Sequence, residues 1–189
     1  MENLYLLLVI VLAVLAIGDL IVGVSNDAVN FLNSAVGSKA ISLRTIMILA
    51  GLGVAFGAFF SSGLMEVARK GIFNPGEFYF DEIILIFTAV MLTDILLLDF
   101  FNTLGMPTST TVSIVFELLG AAVFMSLIKI TSSSGEISDL INYINTSKAI
   151  QIISGIVLSI IVALTIGAIV QWICSCLLYT SDAADDIPR

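Results

Sequence analysis

Two polar clusters interrupt an otherwise apolar chain, and both are built from residue types that hold small ions. The first is Gly23-Val24-Ser25-Asn26-Asp27-Ala28-Val29-Asn30, with Asn33 a turn further on. Ser25, Asn26 and Asp27 are helix-capping types, so a helix is expected to restart near Ala28 with its first N–H groups open. On that helix Asn26, Asn30 and Asn33 fall at i, i+4 and i+7, a polar stripe with Asp27 beside it. Amides and a carboxylate on one face suit a cation, while open N–H groups suit an anion.

The second cluster is Pro107-Thr108-Ser109-Thr110-Thr111-Val112-Ser113, followed by an apolar run over 114–128 whose one charge is Glu117. Proline fits the first turn of a helix, where its missing N–H costs nothing, and the hydroxyls that follow sit beside the open N-terminal donors. Aligned N–H dipoles with several O–H donors make a neutral cradle for phosphate or carboxylate, with no arginine required. The plainer alternative for both clusters is a surface loop between capped helices. Their embedding in apolar sequence without charged flanks argues against it, because unpaired backbone in lipid is costly unless it lines a protein cavity.

Isolated acids form a third group. Asp19, Asp94, Asp99 and Glu117 lie inside apolar segments, and Lys129 and Lys148 stand only at segment ends. A carboxyl group within a membrane is a functional candidate, ionised beside a cation or neutral with a proton. Asp94 and Asp99, five positions apart on a helix, do not share a face, so at most one of them is expected at a common site.

The elements that must position these groups are membrane helices. Of 189 residues 59% are hydrophobic and 12% charged, with a mean hydropathy of +1.13, whereas soluble domains carry about 25% charged residues. Residues 45–65 contain no charge and match the roughly 20 residues that cross a bilayer as a helix. Five apolar segments are expected, over 4–24, 45–65, 83–104, 112–130 and 149–176, so the fold class is an all-α integral membrane protein with broken or re-entrant helices. Asn74-Pro75-Gly76 marks a turn, and 131–148 reads as a Ser/Asn-rich loop. Asn102-Thr103-Leu104-Gly105-Met106-Pro107 separates two segments with no charge at all, unlike a water-facing loop. Lys39 and Arg44 flank the second segment at one end and Arg69 and Lys70 at the other, so basic residues give no clean orientation. Gly53 and Gly57 read as a helix-packing surface.

Several classes are excluded. A formal charge of -8 without a basic patch argues against nucleic acid as a partner. Histidine is absent and the only cysteines are Cys174 and Cys176, so neither a zinc site nor a disulfide framework is expected. No cofactor is called for. The N-terminus lacks a basic region and a small-residue cleavage site and reads as a retained helix rather than a signal peptide. Composition changes abruptly at Cys174, so residues 174–189 are expected to be a non-native or disordered tail following a domain over 1–173.

The motifs Gly23 to Asn30, Ala35-Val36-Gly37-Ser38 and Gly105 to Gly120 resemble those of the inorganic phosphate transporter (PiT) family, and the resemblance covers nearly all of residues 4–173. It implies a multi-pass plasma-membrane symporter of inverted-repeat design that couples inorganic phosphate to sodium or protons. This chain would then supply the N-terminal repeat, and its partners would be phosphate, the lipid bilayer, and a C-terminal repeat or a second copy. By the same resemblance Asp27, Asn30, Ser109, Thr110 and Thr111 are the expected phosphate-binding residues, and Ser25, Asn26 and Asp27 the cation-binding ones. Ser25 stands where the family usually has alanine, and Val112 where many members have histidine. Two other classes compete. One is an intramembrane aspartyl protease using Asp19 with Asp94 or Asp99, although Ala16-Ile17-Gly18-Asp19 matches such settings only in part. The other is a non-catalytic membrane subunit with the polar clusters as interhelical glue.

Overall fold

The computed structural model describes residues 2–62, 71–106, 108–133 and 135–185. Their helices are α1 (Glu2–Ser38), α2 (Leu43–Phe59), α3 (Phe80–Leu104), α4 (Thr110–Ser132), the short α5 (Leu140–Tyr143) and α6 (Thr146–Asp185), with single 3-10 turns at Pro75–Glu77 and Ile137–Asp139. The fold is all-helical, as composition requires. Four helices, α1, α3, α4 and α6, are long and apolar enough to cross a membrane, which makes this a multi-pass membrane protein. Helix α2, with 17 residues, is shorter. At 1.5 Å per residue, α3 and α4 measure about 38 and 35 Å, each sufficient for a hydrocarbon core of about 30 Å.

These helices are apolar around most of their circumference, and large side chains such as Leu6, Leu20, Phe56, Leu96 and Phe124 face outward. In lipid such faces need no protein cover. Within residues 1–149, α3 lies between α1 and α4, with Ile86, Val90 and Leu98 buried from α3 and Leu118 and Ala122 from α4. Gly18 and Gly23 let α1 come close: a Cβ at Gly18 would lie 3.4 Å from Ile95 Cδ1, and one at Gly23 would lie 3.7 Å from Thr110 Cγ2. By contrast, a Cβ at Gly51, Gly53 or Gly57 on α2 would meet nothing within 4 Å.

One end of this unit is closed by its loops. The Asn74 N–H donates to the Tyr143 carbonyl at 2.8 Å, and the Asn145 N–H donates to the Ile72 carbonyl at 3.0 Å. Between them Ile72 and Phe73 are buried. Lys129 pairs with Glu82 at 2.8 Å, donates to the Glu77 carbonyl, and stands 4.3 Å from the centre of the Tyr79 ring. From Ile150 onward the described residues form a second compact unit, a single helical stretch that continues past Cys174 to Asp185.

The expected restart of a helix near Ala28 is not found: α1 runs unbroken through Ser25, Asn26 and Asp27. Its backbone is therefore hydrogen-bonded along the first cluster, and the open N–H groups expected there do not exist. Two of the capping side chains, those of Asn26 and Asp27, are engaged with residues far away in sequence. Pro107 lies outside the described residues, and the first turn of α4 begins after it, at Thr110. Arg69 and Lys70, which entered the orientation argument, also lie outside them.

Candidate functional site

The break between α3 and α4 has a clear local cause. Gly105 takes a left-handed conformation (φ 68°) and ends α3, its N–H and that of Met106 capping the carbonyls of Asn102 and Phe101. Ser109 then caps α4, its hydroxyl accepting the Val112 N–H at 3.4 Å and its carbonyl the Ser113 N–H at 3.0 Å. The first N–H groups of α4, those of Thr110 and Thr111, have no acceptor within the helix and define its positive end.

Onto this break folds the polar stripe of α1, some eighty residues away in sequence. The Asn26 side-chain amide donates to the Thr108 carbonyl at 3.0 Å, and the Asn30 amide donates to the same oxygen at 2.9 Å. Thr110 Oγ1 lies 3.1 and 3.2 Å from the two carboxylate oxygens of Asp27 and donates to that group. The two clusters thus complete one another, which is why Asn26 and Asp27 do not cap a helix of their own. Asn26 is 2% exposed, so its amide must be paired, and the Thr108 carbonyl provides the partner.

Three cavities surround this joint. One of about 310 Å³ is lined by Asn26, Asn30, Asn33, Asn102, Gly105 and Met106 with Val29, so the expected stripe does present its amides to a common space. A second, of about 360 Å³, opens beside Thr108, Ser109, Val112, Ser113 and Glu117 against Leu97, Phe101 and Phe116. A third, about 470 Å³ and largely apolar, lies between α1 and α2 and has Asp27 on its wall. Ser25 and Thr111 are exposed and line none of the three.

The isolated acids divide as their spacing required. Asp94 is 1% exposed, within hydrogen-bonding reach of both Asp19 on α1 and Glu117 on α4. Asp99 is exposed. Ser113 donates to Glu117 Oε1 at 2.8 Å. Asn102 and Thr108 were not singled out as site residues from sequence. Asn102 carried a signal in the chargeless interruption that contains it, but Thr108 acts through its backbone carbonyl, which no side-chain pattern reveals.

The geometry can hold a small anion at the N-terminus of α4, where N–H and O–H donors gather without a cation. A carboxylate, Asp27, stands next to them and would repel an anion unless a cation intervened. Residues 23–187 match the phosphate transporter family. Proteins named "Putative phosphate permease" are similar over 99 residues: the one from Thermococcus kodakarensis is 36% identical and that from Pyrococcus furiosus 37%, the match covering 51% of this chain and 24% of each relative. A protein of the same name from Helicobacter pylori is 34% identical over 99 residues, covering 51% of this chain and 19% of the relative. The chain therefore spans about a quarter of the length of the Thermococcus and Pyrococcus relatives. No solved structure matches it significantly. An all-helical membrane chain whose capped helix start and amide stripe close on one another, matched by a family profile over most of its length, belongs to the phosphate transporter family.

Proposed function

We propose that this chain forms part of a secondary transporter of the plasma membrane that carries inorganic phosphate in symport with sodium or protons. The observation that carries the reading is the joint itself: Asn26 and Asn30 fasten the Thr108 carbonyl while Thr110 engages Asp27. Phosphate would be received by Ser109, Thr110 and Thr111 at the start of α4, with Asp27 and Asn30 at its border. A cation would sit at the Asp27 carboxylate and the Asn26 amide oxygen, with the Ser25 hydroxyl nearby.

The physics of the pair supplies coupling. Phosphate beside the Asp27 carboxylate is unfavourable in a dry site, and a cation alone there lacks its counter-charge, so each ion stabilises the other. Because the Thr110 hydroxyl and both amides already have partners, phosphate entry exchanges the Thr110–Asp27 bond for a phosphate contact and leaves the Asn–Thr108 clamp in place. The second half of the binding site would come from another repeat of a longer chain or from a second copy, and rocking of one half against the other would alternate access.

Labelled phosphate uptake into liposomes carrying the full transporter tests this directly. Uptake driven by an inward sodium or proton gradient is expected; equal uptake with and without either gradient would refute symport. The protease alternative draws on the proximity of Asp19 and Asp94, but Asp94 is 1% exposed and a third acid stands beside it. The family is one of transporters.

A further inference from the structure

Away from the Thr108 joint, three acids on three helices meet inside the membrane unit. Asp94 of α3 lies between Asp19 of α1 and Glu117 of α4, within hydrogen-bonding reach of each. Asp94 is 1% exposed, and its Oδ1, with Asp19 Oδ1 and Glu117 Oε2, meets no donor from the described residues. Among the described residues, Ser113 alone donates at the cluster, to the other oxygen of Glu117. No basic side chain of the described residues forms an ion pair with it; Lys129 is engaged with Glu82 near the start of α3.

Carboxyl oxygens in contact attract only when a proton or a cation lies between them, and a proton needs no further ligands. Three fully ionised carboxylates at this spacing in a low-dielectric interior would repel strongly. Contact between neighbouring carboxyl groups with no other donor at hand is what a shared proton requires.

We propose that Asp19, Asp94 and Glu117 form a proton-binding site, separate from the Thr108–Asp27 joint, in which Asp94 shares one proton with each neighbour. The fully loaded cluster then carries two protons and one negative charge, and ties α1, α3 and α4 together. Losing a proton sets like charges against one another across helix interfaces. The groups that face the site are Asp19 from α1, Asp94 from α3, and Glu117 and Ser113 from α4. Glu117 and Ser113 also line the cleft beside Ser109, which gives the site a path to the anion cradle. The proposal does not depend on what ion the cradle binds.

The test is infrared spectroscopy of the purified chain in liposomes, reading the carbonyl stretch of protonated carboxylic acids at neutral pH and its shift in heavy water. The wild-type chain is expected to show this band, Asp94→Asn to lose it, and Asp99→Asn, altered on the exposed side of the same helix, to keep it. Should Asp94→Asn fail to fold, Glu117→Gln, which retains the shape and can still accept from Ser113, is expected to diminish the band. Absence of the band from the wild-type chain, its persistence at full strength in the variants, or its replacement on adding sodium at constant pH would each overturn the proposal. Phosphate binding by the same samples is a separate readout: its loss with the band intact counts against the transport reading alone.

Discussion

Thr110 and Asp27, 83 positions apart in sequence, meet where the hydroxyl of one lies 3.1 Å from the carboxylate of the other. That contact joins the first turn of α4 to the middle of α1. Both residues are partly buried, so the bond is a charge-assisted one with restricted access to water. Thr110→Val preserves shape and removes the donor, and it is expected to cost about 1–3 kcal/mol of stability in detergent. Thr110→Ser keeps a hydroxyl and is expected to recover most of that loss. Thermal unfolding of the three proteins decides the matter.

The amide clamp gives a sharper prediction. Asn26 and Asn30 donate to one and the same carbonyl oxygen, that of Thr108. Replacing either by alanine leaves that oxygen one donor, whereas the double replacement leaves it none from α1. The double variant is therefore expected to lose more stability than the sum of the singles, by about 0.5–3 kcal/mol, the range found for residues that share a partner. Simple additivity in a double-mutant cycle would show that the two amides act independently.

Much of this joint was legible in the sequence, and its exceptions have physical reasons. Asn26, Asn30 and Asn33 line one cavity because their spacing follows the helical repeat. Asp94 and Asp99 point apart for the same reason, one buried and one exposed. The sequence puts Pro107 in the first turn of this helix, but α4 begins later, at Thr110, after the Ser109 cap. What misled was the capping chemistry of Ser25-Asn26-Asp27: local propensity favours a break, but the partners that Asn26 and Asp27 find on Thr108 and Thr110 are tertiary and lie outside any local window. The convergence of Asp19, Asp94 and Glu117 likewise needed the packing of three helices, which close approach at Gly18 and Gly23 permits.

Gly105 should be intolerant of any side chain. Its φ of 68° is a conformation that L residues reach only with strain, so Gly105→Ala is expected to destabilise by about 1–2 kcal/mol. Because Gly105 turns the chain toward Thr108, the same change is expected to weaken phosphate binding. Unchanged stability and binding would mean the turn can be made another way.

At the opposite end of α4, Lys129 makes a salt bridge, a hydrogen bond to the Glu77 carbonyl and a ring contact with Tyr79. Lys129→Met removes all three and is expected to cost more than Glu82→Gln, which removes only the ion pair. The pair is partly exposed, with side-chain exposures of 22% and 19%, so Glu82→Gln is expected to cost only about 0.5 kcal/mol, less in high salt. Equal losses from the two variants, by thermal unfolding, would leave the carbonyl and ring contacts without a role.

The most direct test of the central claim is equilibrium binding of labelled phosphate to the purified chain in liposomes, comparing the natural sequence with a Ser109→Ala, Thr110→Val, Thr111→Val variant. Saturable binding by the natural chain, lost in the variant at unchanged abundance and helix content, is the result the anion-cradle account predicts. Equal binding by both, or loss of binding only in step with loss of folded protein, would contradict it and leave these hydroxyls a packing role.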